Sequence, residues 1–301
     1  MPTKQAGRAA AKRHRSPSDR RIAQIKAALE RVRDATDVSE RFARDPVSIV
    51  HRFADREDRE IVAVIASCLA FGNVKALTAK IEDALGRLAP SPAKLADDPR
   101  ATARALRGWK HRLYTGADLA ALVVGARRVQ KASGSLGADL RARFDASGGD
   151  IARATAGFAE AIRKEGGLGA RRTVGARHIL TSPDGGSAAK RMMLLLRWMA
   201  RPADGVDLGD WDLPPSDLVI PLDVHLHRLA KNLGLTTRTS ASWQAALEVT
   251  RELRRIDPDD PVKWDFPLCH LGMVQGCPSR RDATRCEGCG VKPVCIHWSR
   301  G

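Results

Sequence analysis

Five of the six cysteines of this 301-residue chain fall in its last 33 residues, and four of them follow the spacing Cys277-x8-Cys286-x2-Cys289-x5-Cys295. One compact loop can gather four thiols that lie within 19 residues of one another. The N-terminus is basic but lacks the apolar stretch of a secretory signal, so a cytoplasmic chain is expected. There, crowded cysteines serve metals rather than disulfides. Four thiolates suit either zinc or an iron–sulfur cluster, and ligand identity does not separate the two. Such a site is closed and leaves no open position for substrate. The other two cysteines read differently. Cys68 sits in an apolar helical stretch as a small buried hydrophobe, and Cys269, beside His270 in another apolar helix, reads as core rather than ligand.

The cysteine loop is basic, with Arg280, Arg281, Arg285 and Lys292, and so is the whole chain: 51 Lys and Arg against 35 Asp and Glu give a formal charge of +16. A field of that sign attracts polyanions, although an Arg-rich composition alone gives the same count. Residues 1–21 carry Lys4, Arg8, Lys12, Arg13, Arg15, Arg20 and Arg21 with almost no apolar content and are expected to form a disordered basic arm. A membrane partner is not expected. The longest apolar run, 192–200, is interrupted by Arg197 and is far shorter than the roughly 20 residues a spanning helix needs.

The remaining pattern is helical throughout, with no sustained alternation and no internal repeat, so the expected class is all-α with about ten helices. A helix over 55–70 carries a nearly all-apolar run and belongs deep in a core. Phe71-Gly72-Asn73 breaks it, and a second helix follows with Val74, Leu77, Ile81, Leu85 and Leu88 on one face. Further helices are expected over 118–132, 150–164, 187–199, 223–232, 241–255 and 262–274. Thr115 is placed to cap the first of these, and Gly234 suits the position just past a helix end. Residues 201–219 are a Pro-, Asp- and Gly-rich connection. The expected organisation is an arm over 1–21, a helical segment over 22–54 packing on the C-terminal part, a helical barrel over 55–203, a C-terminal helical part over 204–275, and the cysteine loop over 276–301.

Two short constellations carry chemistry. Ser182-Pro183-Asp184-Gly185-Gly186-Ser187 lies between helical stretches, and such glycines either form a plain turn or direct backbone N–H groups at a phosphate. In Pro221-Leu222-Asp223-Val224-His225, Asp223 stands at a helix start. It either caps that helix or offers a fixed carboxylate that stabilises positive charge developing at a sugar carbon and orients water.

Together these features resemble the helix-hairpin-helix base-excision DNA glycosylases, the superfamily of endonuclease III and 8-oxoguanine glycosylase, over roughly residues 55–298. Within that superfamily the chain looks most like an uncharacterised bacterial group. The resemblance implies two helical subdomains flanking a cleft, a [4Fe–4S] cluster on Cys277, Cys286, Cys289 and Cys295 with zinc as the alternative, and binding to double-stranded DNA; a monomer is the simplest expectation. It implies that Asp223 is catalytic. Gly185, Gly186, Ser187, Lys190, His225, Arg280 and Arg281 would then contact DNA. A base flipped out of the stack would be received near Phe71 and Asn73, as pocket or wedge, with Trp198 as readily core. Three departures stand out. Asp184 replaces a hairpin glycine, the first cysteine gap is eight residues where endonuclease III has six, and Ala188 occupies the place of the lysine that makes some members bifunctional. Lys190, two residues on, is expected to face elsewhere, so the implied enzyme is a monofunctional glycosylase. The alternatives are a non-catalytic DNA- or structured-nucleic-acid-binding protein and a zinc-stabilised interaction domain. A nucleoid-associated location follows from the first two readings.

Overall fold

A computed structural model describes residues 16–273 and 276–299. The chain is mostly helical, as expected, with fifteen α-helical segments among the described residues. The excess over about ten comes largely from short ones such as Val38–Phe42, Val47–Val50, Pro92–Ala96 and Val174–His178. Among the described residues the strands are one antiparallel pair, Lys110–His111 with Tyr114–Thr115. Arg112, at φ +52°, turns the chain between them. No helix among the described residues is long and apolar enough to cross a membrane.

The apolar helix Arg56–Leu69 sits at the centre. Asp55 caps it by accepting the Asp58 N–H, and every residue from Glu60 to Leu69 is buried. It packs against Gly116–Ser133 on one side and Lys190–Ala200 on another. Thr115 caps Gly116–Ser133 in a reciprocal box with Asp118. That helix approaches Ile151–Glu165 so closely that a Cβ on Gly125 would lie 2.2 Å from the Ile162 carbonyl. Only a glycine tolerates this spacing. Glu60 is fully buried and accepts from Gln130 Nε2, the Leu136 N–H and Trp211 Nε1, each at 2.8 Å. The N–H groups at the start of Leu136–Ala146 favour the carboxylate there. Trp211 thereby ties the 201–219 connection to the central helices.

A second set of helices packs beside the first. Asp19–Asp34 lies on Trp243–Ile256 and on the cysteine loop at Lys292–Val294, and Val224–Leu233 lies on Asp265–Met273. A Cβ on Gly272 would come within 3.3 Å of His225, so this second pair is also closely spaced. The expected basic arm needs correction at its end. Arg20 and Arg21 belong to a helix capped by Ser18, because Ile22, Ile25 and Leu29 bury one face of it. Residues 1–15 lie outside the described ones.

Candidate functional site

Asp223 caps Val224–Leu233 through one oxygen. Its Oδ1 accepts the His225 and Leu226 N–H groups, both at 2.9 Å. Gly234, at φ +80°, closes the other end of the helix. The second oxygen of Asp223 lies 3.8 Å from Lys190 Nζ, and both side chains are about a quarter exposed (22% and 30%). A cap satisfied by one oxygen leaves the other for chemistry. His225 sits half-buried in the first turn of this helix, its Nδ1 3.2 Å from an Arg228 guanidinium nitrogen.

The expectation that Lys190 faces away from Asp223 is overturned. It assumed a helix running from residue 187, so that Lys190 would lie half a turn from Ala188. The helix instead starts at Lys190, and Ala189 before it adopts φ +45°, a left-handed conformation. An L-residue held there costs about 1–2 kcal/mol. The residues between the glycines and Lys190 therefore form loop, not helix, and the kink delivers the lysine to the aspartate. Gly185 and Gly186 are exposed, with open space where a Cβ would stand, and Gly186 is left-handed at φ +71°. The Trp243 N–H donates to the Gly186 carbonyl at 3.1 Å, and Ser187 bridges to Ser242. The turn is thus fixed on the next helix while its outer face is open. Asp184 is exposed beside it.

The four cysteines line one cavity with apolar Leu229, Leu233, Leu271 and Val291, and no carboxylate lines it. Among the described residues, no three His, Cys, Asp or Glu side chains are disposed to chelate a single ion. The donor set itself, four thiols in a carboxylate-free apolar pocket, fits a thiophilic metal or an iron–sulfur cluster. Burial pushes the Cys277 and Cys295 thiols above their ordinary range, with the Asn232 amide pulling Cys277 back. A bound metal cation reverses that balance by deprotonating its thiols. Asn232 Nδ2 donates to Cys277 Sγ at 3.3 Å and to the Pro278 carbonyl at 2.8 Å. His297 Nε2 meets Asn232 Oδ1 at 3.1 Å, and the Ile296 N–H donates to the Asn232 carbonyl. Arg21 donates to the Val294 carbonyl. Arg280, Arg281 and Arg285 are exposed, and Arg281 and Lys292 both lie over the Trp298 ring, at 4.1 and 4.4 Å. Cys68 is buried, its thiol pushed up to about 11 by burial, and Cys269 is pushed up to about 12.

The two expected base-pocket residues take different places. Asn73 caps Val74–Leu88, its oxygen accepting the Ala76 N–H at 3.1 Å. Phe71 instead joins residues distant in sequence. Its ring lies 5.4 Å from Tyr114, 5.6 Å from His111 and 5.9 Å from His178, with the guanidinium carbons of Arg112 and Arg191 each 5.3 Å away. Arg191 follows Lys190 directly on the helix, so one residue joins this cluster while its neighbour meets Asp223. Trp198 is fully buried core. Sequence reasoning did not single out Arg191, Tyr114 or His178, because nothing local marks residues that meet only in the fold.

Residues 45–274 match the family described as "Protein of unknown function (DUF2400)". The match takes in Phe71, Lys190, Arg191 and Asp223 and stops short of Cys277. No curated protein and no solved structure matches the chain.

Proposed function

We propose that this chain, which belongs to that family over residues 45–274, is a DNA-binding iron–sulfur protein with a glycosylase-like fold. In this reading it hydrolyses the N-glycosidic bond of a damaged or modified base in duplex DNA. The observation that carries the reading is the Asp223 carboxylate, fixed by two N–H groups and turned towards Lys190 across 3.8 Å at a partly exposed site. A helix cap needs no lysine. A fixed carboxylate beside an amine suits a reaction in which positive charge develops at C1′ and a nucleophile must lose a proton.

Water is the nucleophile in the first form of the reading. Asp223 stabilises the cationic sugar and takes the water proton as the C1′–N bond breaks. The position of Lys190 favours a second form, in which its amine attacks C1′ and captures the sugar covalently. Borohydride separates the two, since only the second yields a reducible lysine–DNA adduct. The exposed Gly185–Gly186 turn is suited to a phosphate, and the formal charge of +16 suits a polyanion. Cys277, Cys286, Cys289 and Cys295 would hold the cluster, with zinc as the alternative metal. Bound there, it supplies a rigid scaffold that presents Arg280 and Arg281 to the backbone.

The test is base release from duplexes carrying a broad panel of lesions, with abasic sites developed by alkali. Asp223→Asn is expected to lower release by about 10²–10³-fold while duplex binding persists. A fully active Asp223→Asn variant sinks the reading. Salt-sensitive duplex binding with no release from any lesion leaves a non-catalytic nucleic-acid-binding protein in its place.

A further inference from the structure

Among the described residues four arginines are buried, and three of them have carboxylate partners. Arg127 pairs with Asp97 and Glu57, Arg197 with Asp207 and Asp265, and Arg201 with Asp204, Asp207 and Asp260. That is the rule for buried charge. Arg191 is the exception. It is 6% exposed, and its guanidinium donates to the carbonyls of Cys68 (2.7 Å), Ile179 (3.2 Å) and His178 and to the Tyr114 hydroxyl. Among the described residues no carboxylate is paired with it.

The surroundings repeat the same sign. Arg112 is exposed, left-handed at φ +52°, and lies over Phe71. Its guanidinium rests on Gly72, where a Cβ would lie 2.3 Å from Nη2. His111 is 6% exposed, and its buried Nε2 has no hydrogen-bond partner. The half-buried ring of Phe71 thus sits in a positive field with one unsatisfied imidazole nitrogen. A cation placed inside a protein without a counter-charge fits a ligand that brings one.

We propose that the Phe71 cluster is the specificity site of the glycosylase reaction and that it receives a base departing as an anion, an oxo-substituted base of the uracil, hypoxanthine or xanthine type. The inference rests on the reading of Lys190 and Asp223 as the reacting pair. A base can leave C1′ in two ways. It is protonated by an acid as the bond breaks, or it carries away the bonding electron pair. No group in the cluster is a ready acid at neutral pH. Burial and nearby cations hold His111 and His178 below their ordinary range, so both are neutral, and burial pushes the Tyr114 phenol up to about 12. The electron pair of the C1′–N bond therefore passes to the ring nitrogen and spreads onto the carbonyl oxygens, where the field of Arg112 and Arg191 stabilises it. The nucleophile bonds to C1′ and gives its proton to Asp223, and the released anion takes a proton from solvent. Phe71 supplies the stacking face. Bases already cationic or lacking carbonyls gain nothing from such a site.

The experiment uses the full chain and duplexes carrying a single deoxyuridine, deoxyinosine or deoxyxanthosine, against 7-methyldeoxyguanosine and 1,N6-ethenodeoxyadenosine. The oxo-substituted bases are expected to be released, most readily the one with the most acidic N–H. Arg112→Gln changes an exposed residue and should leave folding intact while slowing their release about tenfold or more. Phe71→Leu should slow them too. Release confined to the methylated or etheno bases overturns the proposal. If nothing is released, binding decides, read with 2′-fluorinated uracil and adenine nucleotides in otherwise identical duplexes. A preference for the uracil duplex that Arg112→Gln abolishes keeps the site and rejects only the Asp223 chemistry, whereas base-blind binding unchanged by Arg112→Gln rejects the site itself.

Discussion

The two sides of the Lys190–Ala200 helix treat their cations differently. On one side lie Lys190, Arg197 and, just past the helix end, Arg201, spaced by two turns and then one. Each has a carboxylate: Asp223 for Lys190, Asp207 and Asp265 for Arg197, and Asp204, Asp207 and Asp260 for Arg201. On the other side Arg191 has neutral acceptors only. The paired side is a ladder that locks the 201–219 connection and Asp265–Met273 onto the helix. The difference teaches that burial alone does not mark a charge as structural. A buried ion whose counter-ion is in the protein belongs to the fold, while one held by neutral acceptors only is the kind of group on which the proposed ligand site is built.

Removing a rung should break this contrast most strongly. Arg197→Met leaves Asp265 buried without its ion-pair partner and Asp207 with Arg201 alone, and should destabilise by about 3–5 kcal/mol in denaturant unfolding. Arg191→Met strands only neutral acceptors and should cost less, about 1–3 kcal/mol. Equal losses, or a larger one for Arg191, would show that the two sides do the same work. A middle-sized effect is expected at the cysteine loop. Asn232 is nearly buried and ties Val224–Leu233 to Cys277, Pro278 and His297 at once. Asn232→Ala should lower stability by about 1–3 kcal/mol and, where the proposed metal is loaded, speed its loss to a chelator. Chelation at the unaltered rate would mean that the loop holds the proposed metal without help from the helix.

The cysteine loop was legible because its spacing is local, and the helices because burial repeats every three to four residues. The Asp223 cap was legible for the same reason: an acidic residue before a helix and a glycine after it. Lys190 was misread because one left-handed alanine, Ala189, restarts the helical count, and no residue type announces that an alanine will take φ +45°. The Phe71 cluster was half visible. Phe71 sits at an evident helix break, but Arg191 reaches it through the packing of Lys190–Ala200 on Arg56–Leu69, and Tyr114 and His178 through the packing of Tyr114–Thr115 on Val174–His178. The charge count gave +16 without separating paired arginines from the unpaired one, since pairing is a property of the folded chain.

The smallest expected effect follows from the imidazoles. Burial holds His111, His178 and His227 below their ordinary range, assisted by Arg112 at His111 and Arg191 at His178. Below pH 6.5 the unfolded chain takes up protons at these positions before the folded chain does, so stability present above that pH is lost as pH falls towards the folded values. Burial pushes Asp265 up to about 6, which acts in the opposite sense from about pH 6 downward. The window in which the histidines act alone is therefore narrow, from just above pH 6.5 to about 6. Melting temperatures taken in small steps from pH 7.5 to 5.5 should fall first within it and then level off. His111→Gln, which keeps a buried polar group but cannot titrate, should shrink the initial fall. A curve that stays flat there, or one that His111→Gln leaves unchanged, would mean that the imidazole side of the cluster is as well solvated as the unfolded chain, and the contrast with the paired side would then rest on Arg191 alone.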